Sequence, residues 1–440
     1  MALLSLVVSL AAFGGVAWFA WGGRLGLAAV GLLLLAAVSF GLGRSRLVPA
    51  LRKRADMVAK VLFTVVGFIA LLRHPIEIED GVQAPIYDAI VLFLPSVDVN
   101  TFVFYALCAM AVKFVGVVAS AFAWHLLLVG QGVRLPFGQT ILTGFLIGRF
   151  IGTFLPSTVG LDGYTLYEAG RYSNQWSRVI TAKALEKFVG VTGLFLGMVL
   201  TMPFGYAVIV DVTQELGRPE AAPALAGMIV AVAGGISAVV MFGLAFPQLL
   251  LWLATAVLGV VGVKRPEAGE AGAGALARVA AVLYRFLDAV GAYRGQVGLL
   301  FGVLFAKFIT HFTTAVVYFF TALAIGVVGA GFWEVTFGST IQILATLFSP
   351  TIAGEGAREA FQALLLSKQL GGAAQAVLSG ALGFIAAEAA TLWGGAFLWT
   401  RTEAWRPRFA TVDGEQVDYA WIGEGDGGFN PEALQGVGRP

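Results

Sequence analysis

The sequence predicts an all-α polytopic membrane protein, and three observations carry that prediction. Hydrophobic residues make up 58% of the 440 positions and charged ones only 12%, against roughly half and one quarter in a soluble domain. The apolar residues gather in blocks such as Leu25 to Gly41, Val179 to Leu200 and Ala224 to Ala245, which reach or approach the ~20 residues a helix needs to cross a hydrocarbon core. Lipid offers no partner to a bare backbone N–H or C=O, so blocks of this kind must be helical.

The formal net charge is +2, too small to argue for nucleic acid, and the basic residues sit in inter-helix loops rather than in one patch. Cys108 is the one cysteine and lies inside an apolar run; it reads as a small packed residue, with no disulfide or cysteine-built metal site. No nucleophile elbow, Walker lysine loop or His-Glu-x-x-His helix occurs, so no cofactor is expected and catalysis has little to stand on. Met1 to Leu10 carries no basic residue and the apolar run continues to Trp21, which predicts a first spanning helix rather than a cleaved signal.

The densest basic stretch, Arg44 to Lys60, opposes six Lys and Arg to the single Asp56, and the positive-inside rule assigns it to the cytoplasm. Helices over about 3–22, 25–42, 57–73 and 101–130 then alternate across the membrane. The loop after the third is external and carries Glu77, Glu79, Asp80, Asp88 and Asp98 with no Lys or Arg beyond His74. Residues 139–155 and 336–348 are too short and too polar for comfortable spans. Read as re-entrant hairpins, they leave helices 178–201, 224–245, 296–327 and 373–400 as the remaining crossings. That makes about eight spanning helices with both termini cytoplasmic, in the inner cell membrane. The connection 248–294 holds an amphipathic surface helix, and the tail after Arg408 reads as disordered.

Phe154-Leu-Pro-Ser-Thr-Val-Gly-Leu-Asp-Gly163 and Phe348-Ser-Pro-Thr-Ile-Ala-Gly-Glu-Gly356 share a pattern. In each, an apolar segment meets a proline break, an acidic residue before glycine, a short polar helix and a long apolar one. On the topology above the two sets, about 101–201 and 296–400, enter from opposite sides and form an inverted repeat, an arrangement that places broken-helix sites near the bilayer midplane.

A charge costs ~2.5 to 3.5 kcal/mol at the centre of a spanning helix, so each needs a partner or a water-filled cavity. Arg149, Lys183, Glu186, Lys187, Lys307, His311, Glu355, Arg358, Glu359 and Glu388 fall in that class. Glu186 follows Lys183 by three positions and is placed to pair with it; Lys183 and Lys187 read equally as snorkelling side chains. Lys307 and His311 share a helix face, as a substrate contact or as a structural polar pair. Gly144, Gly148 and Gly152 make a small-residue stripe for close helix approach. Arg149 beside it reads either as a fork for a lipid phosphate or as an ion-pair partner. Helices starting near Tyr164 and Ala357 offer N-terminal N–H groups to an anion, while Asp162 and Glu355 read equally as helix caps.

Gly148-Arg-Phe-Ile-Gly-Thr-Phe-Leu-Pro-Ser-Thr-Val-Gly-Leu-Asp-Gly-Tyr-Thr-Leu-Tyr-Glu168, then Ala184-Leu-Glu-Lys187, resembles the transmembrane module of the lysylphosphatidylglycerol synthase family, the flippase-like domain. Pro350-Thr-Ile-Ala-Gly-Glu-Gly-Ala-Arg-Glu359 is similar to that family's second signature. The resemblance covers roughly residues 55 to 400. It implies a flippase-like domain over 44–400, preceded by two helices in 1–43 and followed by a polar tail, 401–440. Full-length members move an aminoacylated phosphatidylglycerol between leaflets after a soluble domain has attached the amino acid. No such domain follows residue 400, so the resemblance implies lipid translocation without aminoacyl transfer. Where the family has an arginine after the first break this chain has Thr165, with Arg171 further on. The expected substrate contacts are Arg149, Asp162, Tyr164, Arg171, Lys183, Glu186, Lys307, His311, Glu355, Arg358 and Glu359. The expected partners are membrane lipids with anionic or phosphate headgroups. Two rival readings are a lipid-linked glycosyltransferase that holds a metal at Glu77 to Asp80, and a scaffold recruiting a lipid-modifying enzyme through 248–294.

Overall fold

The computed structural model describes residues 2–22, 27–79, 82–154, 159–246, 248, 249, 252, 284, 291–347, 356–401 and 405–417. Seven stretches among them are helical, long and apolar enough to cross a bilayer: Leu4–Trp21, Ala28–Ser45, Val99–Gly130, Trp176–Thr201, Pro219–Ala245, Val297–Ala324 and Ala373–Leu398. Leu34, Val38, Phe104, Leu107 and Val239 stand exposed on these helices, as lipid-facing residues do and as a soluble surface does not tolerate in such number. The fold is that of an all-α polytopic membrane protein. The expected surface helix within 264–294 falls outside the described residues, apart from position 284 and 291–294.

The expected third span differs in kind from the seven. Helix α3 runs over Pro49–Leu72, starting eight positions earlier than the apolar pattern suggests. Pro49 at its first position has no N–H to lose and a backbone angle already suited to a helix. Residues 52–60 are therefore the first turns of a helix, and the purely apolar part, 61–72, is only about 18 Å long at 1.5 Å per residue.

Contacts divide the chain into two compact units. The first comprises 1–109, 201–223 and 315–386, the second 110–200, 224–314 and 387–440. In the first, α1 (Ala2–Trp21) and α2 (Leu27–Ser45) form an antiparallel pair in which Ser9 donates to the Ala36 carbonyl at 2.9 Å. Arg44 holds Asp56 at 2.5 Å and so ties α2 to α3. A hairpin of β1 (Pro75–Glu79) and β2 (Val82–Pro85) leads to α4 (Ile86–Phe93), and Asp98 caps α5 (Val99–Gly130) through the Thr101 N–H at 2.8 Å.

The second unit is built on the rest of α5, β3 (Val133–Arg134), α6 (Thr143–Phe154), α7 (Val159–Ser173) and α8 (Trp176–Thr201). A short helix α9 (Tyr206–Glu215) belongs to the first unit, and α10 (Ala222–Ile229) with α11 (Gly235–Ala245) continues the second. Then come α12 (Val297–Ala324), α13 (Phe332–Leu347), α14 (Ala357–Leu366), α15 (Ala373–Leu392) and α16 (Gly394–Thr400). Each unit thus holds one helical hairpin of two short helices followed by a long one: α6, α7 and α8 in the second, α13, α14 and α15 as far as Ala386 in the first. The core of the second unit packs Trp124, Leu127, Phe145, Leu146, Leu185 and Val303.

The glycine stripe does what its spacing suggests. A Cβ on Gly148 would sit 3.0 Å from the Leu161 Cα, and one on Gly160 would sit 2.5 Å from the Gly152 nitrogen, so α6 and α7 lie backbone against backbone. In the first unit Gly338 plays this part, facing Leu366 across the α13–α14 hairpin.

The tail departs from expectation over 409–417. Thr411–Val412 (β4) and Glu415–Gln416 (β5) form a hairpin that pairs with β3. Asp413 and Gly414 take positive φ at its turn, the left-handed geometry that an Asp-Gly pair supplies. Asp413 also accepts from Arg178 at 2.9 Å, and that guanidinium holds its carboxyl below the usual range. Residues 418–440 lie outside the described part.

The backbone contact at Gly160 predicts that Gly160→Ala lowers thermal stability in detergent by about 1–3 kcal/mol through overpacking. Gly163→Ala, in the same helix and facing open space, is expected to be neutral or stabilising by ~0.5–1 kcal/mol. Equal melting temperatures for the two variants would contradict this packing.

Candidate functional site

Lys183, Glu186 and Lys187 lie at i, i+3 and i+4 of α8, which puts them on one face. Glu186 is the centre of a buried charge network. Its Oε2 accepts from Lys183 at 2.7 Å and its Oε1 from Lys307 of α12 at 2.5 Å, and the side chain is only 6% exposed. Lys307 also donates to the Ser120 hydroxyl of α5 at 2.9 Å.

Small residues make this convergence possible. A Cβ on Gly193 would lie 2.8 Å from the Lys307 carbonyl carbon, so α8 meets the α12 backbone directly about two turns beyond Glu186. Across the other face, Thr310 donates to the Gly116 carbonyl at 3.2 Å, and a Cβ on Gly116 would run into the Thr313 side chain. The three helices approach closely enough for short bonds between ammonium and carboxylate.

Asp162, in the first turn of α7, extends the network. It lies 3.5 Å from the Lys183 ammonium and pairs also with Lys187. It is therefore an ion-pair partner inside the helix rather than its cap, since α7 begins at Val159. Lys183 does not snorkel: it is buried, with its ammonium 4.4 Å from the centre of the Trp124 ring. Lys187 is the half-exposed member of the set.

A second group stands around Arg149. Its Nη2 donates to Glu388 at 3.1 Å and its Nε to Thr391 at 3.3 Å, while Thr153 donates to the other Glu388 oxygen at 2.8 Å. Lys113 of α5 has Arg149 and Glu388 as its charged neighbours and donates to the Thr314 hydroxyl at 2.9 Å. His311 links the groups: it bonds the Gly190 backbone and has both Lys307 and Lys113 near it.

All of these residues belong to the second unit. Arg358 and Glu359 belong to the first, where Arg358 donates twice to Glu359 Oε1, at 3.0 and 2.7 Å, and stacks on Phe384. The other Glu359 oxygen accepts from the Gly356 N–H at 2.8 Å and caps α14. This is a neutralised pair holding a helix start. Arg171 stacks on Tyr167 and Tyr172, about 13 Å along α7 from Asp162 at helical rise, so it is not part of the network. Tyr164 is half-buried on the same helix, and Glu355 lies outside the described residues.

Three participants escaped the sequence reading: Lys113, Ser120 and Thr314. Lys113 carried a usable signal, being the one charged residue in the 32-residue helix α5. The Arg401–Glu168 ion pair was also missed. Among the described residues no three His, Cys, Asp or Glu side chains converge to hold a metal ion. Of the acidic loop, Asp80 lies outside the described residues, as do the side chains of Glu77 and Glu79.

The network opposes five basic groups, Lys113, Arg149, Lys183, Lys187 and Lys307, to three carboxylates, Asp162, Glu186 and Glu388. Among the described residues no carboxylate stands within ion-pair distance of Lys113. A formal excess of two positive charges, spread over α5, α6, α8 and α12, is chemically suited to holding an anion. No protein-family model, no curated protein and no solved structure matches this chain.

Glu186→Gln leaves Lys183 and Lys307 without their shared carboxylate, and loss of one partner of a buried ion pair costs about 3–5 kcal/mol. The expected result is a large fall in the detergent melting temperature, partly restored by adding Lys307→Met. A melting temperature unchanged by Glu186→Gln would contradict the role given to this carboxylate.

Proposed function

We propose that this protein moves a lipid with an anionic, phosphate-bearing headgroup between the two leaflets of the membrane. The observation that carries this reading is the formal excess of two positive charges in the network of the second unit, in which only Lys187 is half-exposed. Each uncompensated charge at a helix centre costs ~2.5 to 3.5 kcal/mol, so a site that keeps such an excess is most stable when an anion joins it. Arg149 commits Nε and Nη2 to protein partners, which leaves Nη1 to meet a phosphate oxygen. Lys113 stands beside it as a second donor.

In this reading the α6–α7 and α13–α14 hairpins are re-entrant. With the π-helical segment Phe137–Leu142 (6 residues) that leads into it, α6 (12 residues) forms one helix at most about 27 Å long, short of the ~30 Å of a hydrocarbon core. The recurrence of hairpin and long helix, once in each unit, supports an inverted repeat. The resemblance of the α6–α8 and α14 passages to the flippase-like family points to the same class of activity. The headgroup travels past polar and charged side chains while the acyl chains stay in lipid. The barrier falls because the phosphate charge is met by fixed cations instead of bare hydrocarbon.

The test is leaflet exchange in liposomes holding the purified protein, with labelled lipids bearing phosphatidylglycerol, phosphatidylcholine or polyprenyl-phosphate headgroups. Exchange of an anionic class is expected, reduced at least tenfold in Arg149→Gln and Lys113→Met, as loss of one charge-assisted bond implies. Exchange of no headgroup by well-folded protein would overturn the proposal in favour of a glycosyltransferase or scaffold.

A further inference from the structure

The first unit carries an imbalance of a different kind, in hydrogen bonds rather than in charge. Ser339 and Gln342 of α13 and Gln362 of α14 are at most 1% exposed, yet the Ser339 hydroxyl, the Gln342 Oε1 and both polar atoms of the Gln362 amide have no hydrogen-bond partner. The Gln342 Nε2 donates to the Tyr318 hydroxyl of α12 at a long 3.4 Å. Gly338 faces Leu366 across the α13–α14 hairpin, so four positions onward in α13 and four back in α14 the same register sets Gln342 level with Gln362. Ser339 stands one turn away. The orphaned atoms thus gather in one layer of the hairpin.

A buried donor or acceptor without a partner gives up its water and receives nothing in return, and native interiors leave few such groups. Four of them in one layer make this arrangement of α13 and α14 costly. Helix α14 is also lightly held. Among the described residues its side chains hydrogen-bond only within the helix and its cap, Arg358 to Glu359 and Glu359 to the Gly356 N–H. Its buried face rests on glycines: Gly338 of α13 meets Leu366, and a Cβ on Gly380 of α15 would lie 3.4 Å from the Gln362 Cβ. The side-chain bonds that anchor this stretch come just past its C-terminal end, where Lys368 and Gln369 donate to Asp211 of α9 at 3.3 and 2.8 Å. A swing of α14 about that end breaks no side-chain hydrogen bond to α13 or α15. Openings confined to a lightly held element are the low-energy end of native-state fluctuation.

We infer that α14 is a gate of the first unit, which parts from α13 and α15 to let water reach Ser339, Gln342 and Gln362, and that this structure is its closed state. Opening supplies the partners that the closed state withholds. The gate stands on the first unit alone and needs no part of the transport proposal.

The experiment is thiol labelling of the full-length protein in lipid nanodiscs with a hydrophilic maleimide, in a Cys108→Ala background that removes the one native thiol. Ser339→Cys reports on the orphaned layer. Val335→Cys, one turn earlier on α13, level with the anchored end of α14 and equally buried, is the control. Ser339→Cys is expected to label at least tenfold faster than Val335→Cys. Adding Gln362→Leu, or independently Gln342→Met, removes orphaned atoms at little change in volume, which favours the closed state; each is expected to slow that labelling about tenfold and to raise the melting temperature. Labelling of Ser339→Cys no faster than the control would overturn the gate. So would labelling unchanged by both apolar substitutions, or a melting temperature lowered by both, which would mean that the amides are satisfied in the folded state. Labelling as expected without any leaflet exchange in wild type would keep the gate and refute the transport proposal alone.

Discussion

The Glu186 carboxylate between two lysines is the interaction on which the arrangement of the second unit depends. In hydrocarbon neither Lys183 nor Lys307 is tolerable alone, and Glu186 serves both with bonds of 2.7 and 2.5 Å. Those distances require α8 and α12 to touch, and Gly193 permits it by leaving no Cβ between them. The Ser120 hydroxyl on α5 accepts a second bond from Lys307. Charge dictates the contact, small residues permit it, and packing follows.

The same logic separates structural charges from functional ones. Arg358 and Glu359 cancel within adjacent residues and cap a helix, and Arg401 with Glu168 closes the base of a hairpin. These pairs balance. The group around Lys113 and Arg149 does not, because among the described residues Glu388 is the single carboxylate serving that end. The proposed phosphate contact answers that imbalance, since an uncompensated charge in lipid costs ~2.5 to 3.5 kcal/mol.

Much of this was legible in the sequence, for identifiable reasons. Spanning helices announce themselves through uninterrupted apolar blocks, and the two helical hairpins through the proline and glycines that follow each short apolar segment in the sequence. The Lys183–Glu186 pair follows from helical spacing. The Glu186–Lys307 and Arg149–Glu388 pairs do not, since their partners are 121 and 239 positions apart and no local rule connects them. Asp162 reads as a cap when the helix is taken to start near Tyr164; α7 instead begins at Val159, and the carboxylate faces Lys183 and Lys187. The basic stretch before α3 resembled a loop because charge masked a helix that Pro49 was suited to begin. The β4–β5 hairpin runs against the polar composition of the tail, although Asp413-Gly414 is a strong turn signal.

That the surplus charge of the second unit receives an anionic headgroup is tested most directly by photocrosslinking. A phosphatidylglycerol analogue with the photoreactive group on its headgroup would be activated in membranes holding the protein and the adducts mapped by peptide mass spectrometry. The account predicts adducts on the α5, α6 and α12 segments that carry Lys113, Arg149 and Lys307, and far fewer from a phosphatidylcholine analogue. Adducts confined to surface residues, or equal labelling by both headgroups, would contradict it.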